Sequence, residues 1–206
     1  VLTLPVQPLR INAHSGSDDF PLEDVLIFFE GAAAIEASLP SSLPPISHET
    51  HRGRMLHSPW VALRVADARP EVRFTLDISH WNVVAERMID VETLRPILEK
   101  TLHIHARIGT TQASQVADPR SDSVKEFETY HRACWETVWQ AHKTSGKMKW
   151  TSLTPEYGPV EDLYMPQSYI ESEGKHRAER PVDDIIFDEA VRLREVFELH
   201  GTASFS

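Results

Sequence analysis

A chain of 206 residues with a formal charge of −10, from 21 Lys and Arg against 31 Asp and Glu, can bury one sizeable core and is too acidic for a broad nucleic-acid surface. Its 41% hydrophobic and 25% charged residues exclude a disordered chain, and a single cysteine, Cys134, excludes a disulfide framework and a Cys-rich zinc fold. No apolar run reaches the roughly 18 residues of a membrane span, and residues 1–5 carry no charged, cleavable leader pattern, so the expected setting is reducing and cytoplasmic, away from a membrane.

Short apolar or β-branched runs alternate with longer helical stretches. Residues 9–13 read as a strand that ends at His14-Ser15-Gly16. A helix follows over about 21–38, with Pro21 at its start, where a missing N–H costs little. Residues 44–47 lead as a strand into His48-Glu49-Thr50-His51. Ser58-Pro59 is a cap-and-first-turn pair for a helix to about Ala68. Residues 72–76 form a strand ending at Asp77-Ile78-Ser79-His80, and a helical stretch with a break covers about 82–100. Residues 101–106 read as a His-rich strand, 110–120 as a polar loop, and 122–144 as a helix. A short strand at 149–153 precedes Thr154-Pro155-Glu156; 160–181 read as irregular chain, and 182–200 as a final amphipathic helix.

Alternating strands and helices predict a parallel sheet with crossover helices, and in such folds function gathers at the carboxyl ends of the strands. His14, Glu49, Asp77, His105 and Glu156 each close a predicted strand, at successive gaps of 35, 28, 28 and 51 residues. Three carboxylates crowded at one mouth repel one another, and a divalent cation removes the conflict. Oxygen ligands with one imidazole suit Mn²⁺, Mg²⁺, Co²⁺ or Zn²⁺, so Glu49, Asp77, His105 and Glu156 are the candidate metal ligands. Strand alternation puts His103, His105 and Arg107 on one face. His105 is nearer the mouth and is read as the ligand, with His103 beside it in a role that could be exchanged. Arg107 is either a bidentate anchor for a substrate anion or a salt bridge to a mouth carboxylate. The same alternation puts Ser47, Glu49 and His51 on one face and His48 on the other, where it packs. In Asp77-Ile78-Ser79-His80, Asp77 faces the metal and His80 a substrate oxygen. No Gly-x-Gly-x-x-Gly, P-loop or nucleophile elbow occurs, which weakens nucleotide-cofactor and serine-hydrolase readings.

With these residues in place, the chain resembles the sugar phosphate isomerase/epimerase superfamily, the xylose-isomerase-like TIM barrels that also include endonuclease IV. The resemblance runs over about residues 10–159. Asn12-Ala13-His14-Ser15-Gly16 resembles the third-strand motif, Glu49 the fourth-strand metal glutamate, Asp77-Ile78-Ser79-His80 the fifth-strand Asp-x-x-His, His105 the sixth-strand histidine and Glu156 the seventh-strand glutamate. The resemblance implies a (β/α)8 TIM barrel as a single domain, incomplete at its N-terminus because strands one and two are not evident. It implies a metal that binds adjacent substrate oxygens, with Glu49 and Glu156 moving a proton next to a carbonyl. His14, His51, His80, His103 and Arg107 are then candidate substrate contacts. The expected activity is isomerisation, epimerisation or dehydration of a small sugar, sugar phosphate or polyhydroxy-keto compound. The alternatives are metal-dependent phosphodiester hydrolysis of the endonuclease IV type, and a non-catalytic assembly barrel. The open barrel edge suggests a homo-oligomer that covers it.

Overall fold

Five short strands lie side by side in chain order: β1 (Ile11–Ala13), β2 (Ile46–Glu49), β3 (Phe74–Leu76), β4 (Thr101–His105) and β5 (Leu153–Thr154). They are seen in a computed structural model that describes residues 8–146, 150–158, 169–172, 175–178 and 180–203. All four pairings are parallel, with Ile11 opposite Ile46, Glu49 opposite Thr75, and His105 opposite Thr154. The register slips once: Phe74 faces Thr101 and Thr75 faces His103, so Leu102 is an extra residue in β4.

The crossovers are α1 (Leu22–Ser38), α2 (Pro59–Ala68), the pair α3 (Ile78–Ala85) and α4 (Val91–Leu98), and α5 (Lys125–Ser145), which a 3-10 turn at Asp122–Val124 introduces. Parallel crossovers are right-handed, so neighbouring strands in simple chain order place every crossover helix on the same face. Accordingly α1 packs on α2, α2 on α4, and α4 on α5, with α6 (Val182–Ala203) against α5. The core lies between this helical layer and the sheet. Phe29, Val65, Leu94, Ile97, Trp135 and Val138 meet Phe74, Leu76 and Ile104, all fully buried. Each such side chain stabilises the fold by roughly 1.5–3 kcal/mol.

Local sequence explains the boundaries. Ser58 Oγ accepts from Val61 N at 3.3 Å and opens α2. Asp90 accepts from Thr93 N at 3.2 Å and opens α4. Asp77 does the same for α3, so helix begins at Ile78 rather than near residue 82, and His80 sits in its first turn. The break in the 82–100 stretch falls after Ala85, where Glu86 turns left-handed at φ 50°. β5 begins at Leu153 rather than 149; residues 147–149 lie outside the described residues. The stretch read as irregular holds β6 (Tyr169–Ser172) and β7 (Lys175–Ala178), an antiparallel pair separate from the main sheet; 159–168 lie outside the described residues.

The expected (β/α)8 barrel is corrected by this topology. Among the described residues the parallel sheet has five strands, and the remaining two pair only with each other. From Ile11 to Thr154 the strand–helix units supply five parallel strands, and the two strands that follow bond to each other in an antiparallel pair instead of extending the sheet. The sheet is curled rather than flat. Arg10, just before β1, reaches β4, donating from Nε to Leu102 O at 3.4 Å, with its guanidinium 4.2 Å over the Trp150 ring. No helix among the described residues is long and apolar enough to cross a membrane.

Candidate metal centre

The carboxyl ends of β1 to β4, and the loop after β5, open onto the concave side, and alternation decides what each strand sends there. On β2, Ser47 and Glu49 point inward. Ser47 Oγ lies 2.7 Å from Thr75 Oγ1 on β3, which ties the two strands beneath the site. His48 points the other way, against the Phe29 ring at 4.9 Å, with Nδ1 2.7 Å from Ser15 Oγ. It is the packing histidine expected from the sequence, and burial pulls its pKa down to about 4.

Glu49 is buried and held from several sides. Asn12 Nδ2 donates to Oε2 at 2.5 Å, His14 Nε2 lies 2.9 Å from the same oxygen, and His105 Nδ1 lies 3.4 Å from Oε1. Burial raises its pKa, but His105 and Asn12 outweigh that and bring it down to about 2. Asp77 is fully buried. Its Oδ1 accepts from Ser79 N at 3.0 Å and Ser79 Oγ at 2.5 Å, and Oδ2 accepts from Arg107 Nη2 at 2.6 Å. Thr50 Oγ1 fixes its backbone, accepting from Asp77 N at 2.8 Å and donating to Asp77 O at 3.0 Å. Burial works against the Asp77 charge, and Arg107, His80, Ser79 and His105 together more than reverse it, holding the carboxyl well below the usual range.

His105 ends β4 and faces the glutamates, with Nδ1 2.5 Å from Glu156 Oε2. Burial lowers its pKa, while the Glu156 and Glu49 carboxylates push it up to about 10. Glu156 follows β5 and is the more open glutamate, with 31% of its side chain exposed against 1% for Glu49. One possible ligand atom from each of Glu49, Asp77, His105 and Glu156 lies within 4.8 Å of all the others. These four are the candidate ligands named from the sequence. The donor set fits a divalent cation on an independent ground. His105 Nδ1 and Glu156 Oε2 are both buried and approach closely, yet neither makes a properly formed hydrogen bond among the described residues. With the imidazole proton displaced, each of these atoms offers a lone pair, which suits a shared cation.

His103 does not reach the cluster. Its Nδ1 lies 2.8 Å from Ser152 Oγ and its Nε2 3.0 Å from Thr154 Oγ1, so both nitrogens are engaged toward β5, edge-on to His105 at 5.3 Å. Of the two histidines, His105 is therefore the one placed among the candidate ligands. Arg107 is fully buried and takes the salt-bridge alternative: besides Asp77, its Nη1 lies 3.6 Å from Glu156 Oε1. His14, His51 and His80 form a row of mutually tilted rings, with centroids 4.6 Å and then 3.8 Å apart. His14, Glu49 and His51 also bring one possible ligand atom each within 4.8 Å. Sequence reasoning did not assign site roles to Asn12, Thr50 and Ser79. Asn12 was detectable, because alternation on β1 places it on the face of His14; Thr50 and Ser79 act through contacts that no local pattern marks.

Compared with known proteins, the chain matches no family model, no curated protein and no solved structure.

Proposed function

We propose that this chain is a divalent-metal-dependent isomerase, epimerase or dehydratase that moves a proton next to a carbonyl of a small sugar, sugar phosphate or polyhydroxy-keto compound. The observation that carries the reading is the convergence of Glu49, Asp77, His105 and Glu156 within 4.8 Å. Charge supports a single divalent ion. Arg107 neutralises one of the three carboxylates, and the two negative charges left are balanced by Mn²⁺, Mg²⁺, Co²⁺ or Zn²⁺. Bound there, the cation supplies Lewis acidity toward a substrate carbonyl oxygen.

The remaining chemistry belongs to the side chains. Glu49, buried and pulled down to about 2, stays ionised and serves first as a ligand. Glu156, more exposed, takes the substrate proton, and the pair shares its return or the protonation of a leaving hydroxyl. Asn12 and His14 orient Glu49, and Arg107 with Ser79 orients Asp77. Metal analysis of the purified protein, repeated on Glu49→Gln and Glu156→Gln, tests the proposal. It expects about one divalent ion per chain, lost or weakened in the variants; a protein that binds none refutes it.

One observation favours a second reading, phosphodiester cleavage of the endonuclease IV type. The His14, Glu49 and His51 group shares Glu49 with the first cluster and could hold a second cation beside it. The −10 charge opposes a DNA substrate. A nicking assay on abasic duplex DNA with added Zn²⁺ or Mn²⁺ separates the two readings.

A further inference from the structure

We infer that Arg107 is a positioning residue that holds His80 as a neutral imidazole with its proton on Nδ1, so that this wall of the site offers a ligand a hydrogen-bond donor. Arg107 Nη2 lies 2.6 Å from Asp77 Oδ2 and 2.9 Å from His80 Nε2. A guanidinium has N–H donors and no acceptor. At 2.9 Å from it, His80 Nε2 must present its lone pair, because a proton there would set N–H against N–H. An imidazole with a lone pair on Nε2 carries its single proton on Nδ1. The competing arrangement, Nε2–H donating to Asp77 Oδ2, has the longer separation of 3.4 Å and places the same proton against Arg107.

Both groups are fixed in place. Arg107 is fully buried and donates from Nε to Ser79 Oγ at 3.3 Å. The His80 ring is 1% exposed and covered by His51 at 3.8 Å between centroids. The Nδ1 atom of His80 is buried and has no hydrogen-bond partner among the described residues. Buried donors are almost always satisfied, so this one is suited to a bound ligand. The matching ligand atom is an acceptor oxygen, as in a carbonyl, hydroxyl or carboxylate; an ammonium or amide N–H is rejected. The role of Arg107 thus moves from a possible substrate anchor to the residue that sets the polarity of the wall. The identity of the ligand rests on the function proposed above, whereas the tautomer does not depend on any metal.

Long-range proton–nitrogen correlation spectra of the full, ¹⁵N-labelled chain at neutral pH with a chelator test this directly, with His80 assigned by its loss in His80→Gln. The expected spectrum shows a protonated, pyrrole-like Nδ1 and an unprotonated, pyridine-like Nε2. Asp77→Asn with Arg107→Met, which removes both members of the buried pair, is expected to release the ring to the Nε2–H form or to a mixture of the two. Dispersion of the other signals reports that the double variant is folded. An Nε2–H or imidazolium pattern in the native chain, or an unchanged Nδ1–H pattern in the folded double variant, overturns the inference. A native chain that binds no divalent ion yet shows the Nδ1–H pattern refutes the metal reading and supports this one.

Discussion

Replacing Arg107 with Met leaves the Asp77 carboxylate in the core without its closest cation. Both side chains are fully buried and meet at 2.6 Å. Burial acts against the Asp77 charge, and Arg107 is the largest of the influences that favour it. Breaking a buried pair from one side costs about 3–5 kcal/mol, because the remaining charge keeps its desolvation penalty and loses its compensation. Arg107→Met also removes the donors to Ser79 Oγ and His80 Nε2, which keeps the expected loss at the upper part of that range. For a chain of this size 1 kcal/mol shifts the midpoint by roughly 2–4 °C, so the thermal midpoint falls by about 10–15 °C. Circular dichroism melts and urea titrations at pH 7 with a chelator measure it. The double variant with Asp77→Asn is expected to recover at least about 1.5 kcal/mol of the loss, since no charge is then stranded. Excess Mn²⁺ is expected to raise the single variant more than the native chain, because the ion replaces part of the lost positive charge beside Asp77. A loss below about 1 kcal/mol, or a double variant as damaged as the two single changes added together, would refute the reasoning.

Metal binding is expected to release a proton. His105 is held up to about 10 by Glu156 and Glu49, so below that pH a cation must displace the imidazole proton to use Nδ1. Affinity therefore rises by about tenfold per pH unit between 6 and 9, and calorimetry in buffers of different ionisation heat counts the proton; a flat profile contradicts the assignment. Asn12→Ala, though it removes no proposed ligand, is expected to weaken divalent-ion affinity by about 10- to 100-fold by freeing Glu49 Oε2. Equilibrium titration against a metal indicator measures that change. His131 gives an acid limit. Its Nε2 accepts from Gly109 N at 3.3 Å, its Nδ1 faces Phe127 O at 2.8 Å, and burial pulls its pKa down to about 4. The unfolded chain, with an ordinary histidine, binds the proton first, so this stability is present above about pH 6.5 and is lost as the pH falls to about 4. The His131 share of the loss approaches about 3 kcal/mol and is read from urea midpoints, with His131→Gln expected to make the profile shallower while His48, also held down to about 4, keeps its share.

Much of the architecture was legible because its signals are local. Ser58-Pro59 opens α2 by a hydrogen bond three residues long, and the apolar runs at β3 and β4 are strands through their own periodicity. The candidate ligands were legible for a more general reason. Parallel strands in chain order bring their carboxyl ends to one edge, and the curl of the sheet draws Glu49, Asp77, His105 and Glu156 together there.

Period and spacing along one segment set the alternation of strand and helix, the inward face of each strand, and the residues that stand at the strand ends. The extent of the parallel sheet and the pairing of β6 with β7 came with the folded arrangement, because sheet membership depends on which distant backbone is near enough to bond. That arrangement also decided that Arg107 turns to Asp77 and that His103 turns to β5 while His105 faces the glutamates. A buried cation goes to the nearest carboxylate and a histidine to whichever hydroxyls lie beside it, and those distances exist only once the sheet has curled.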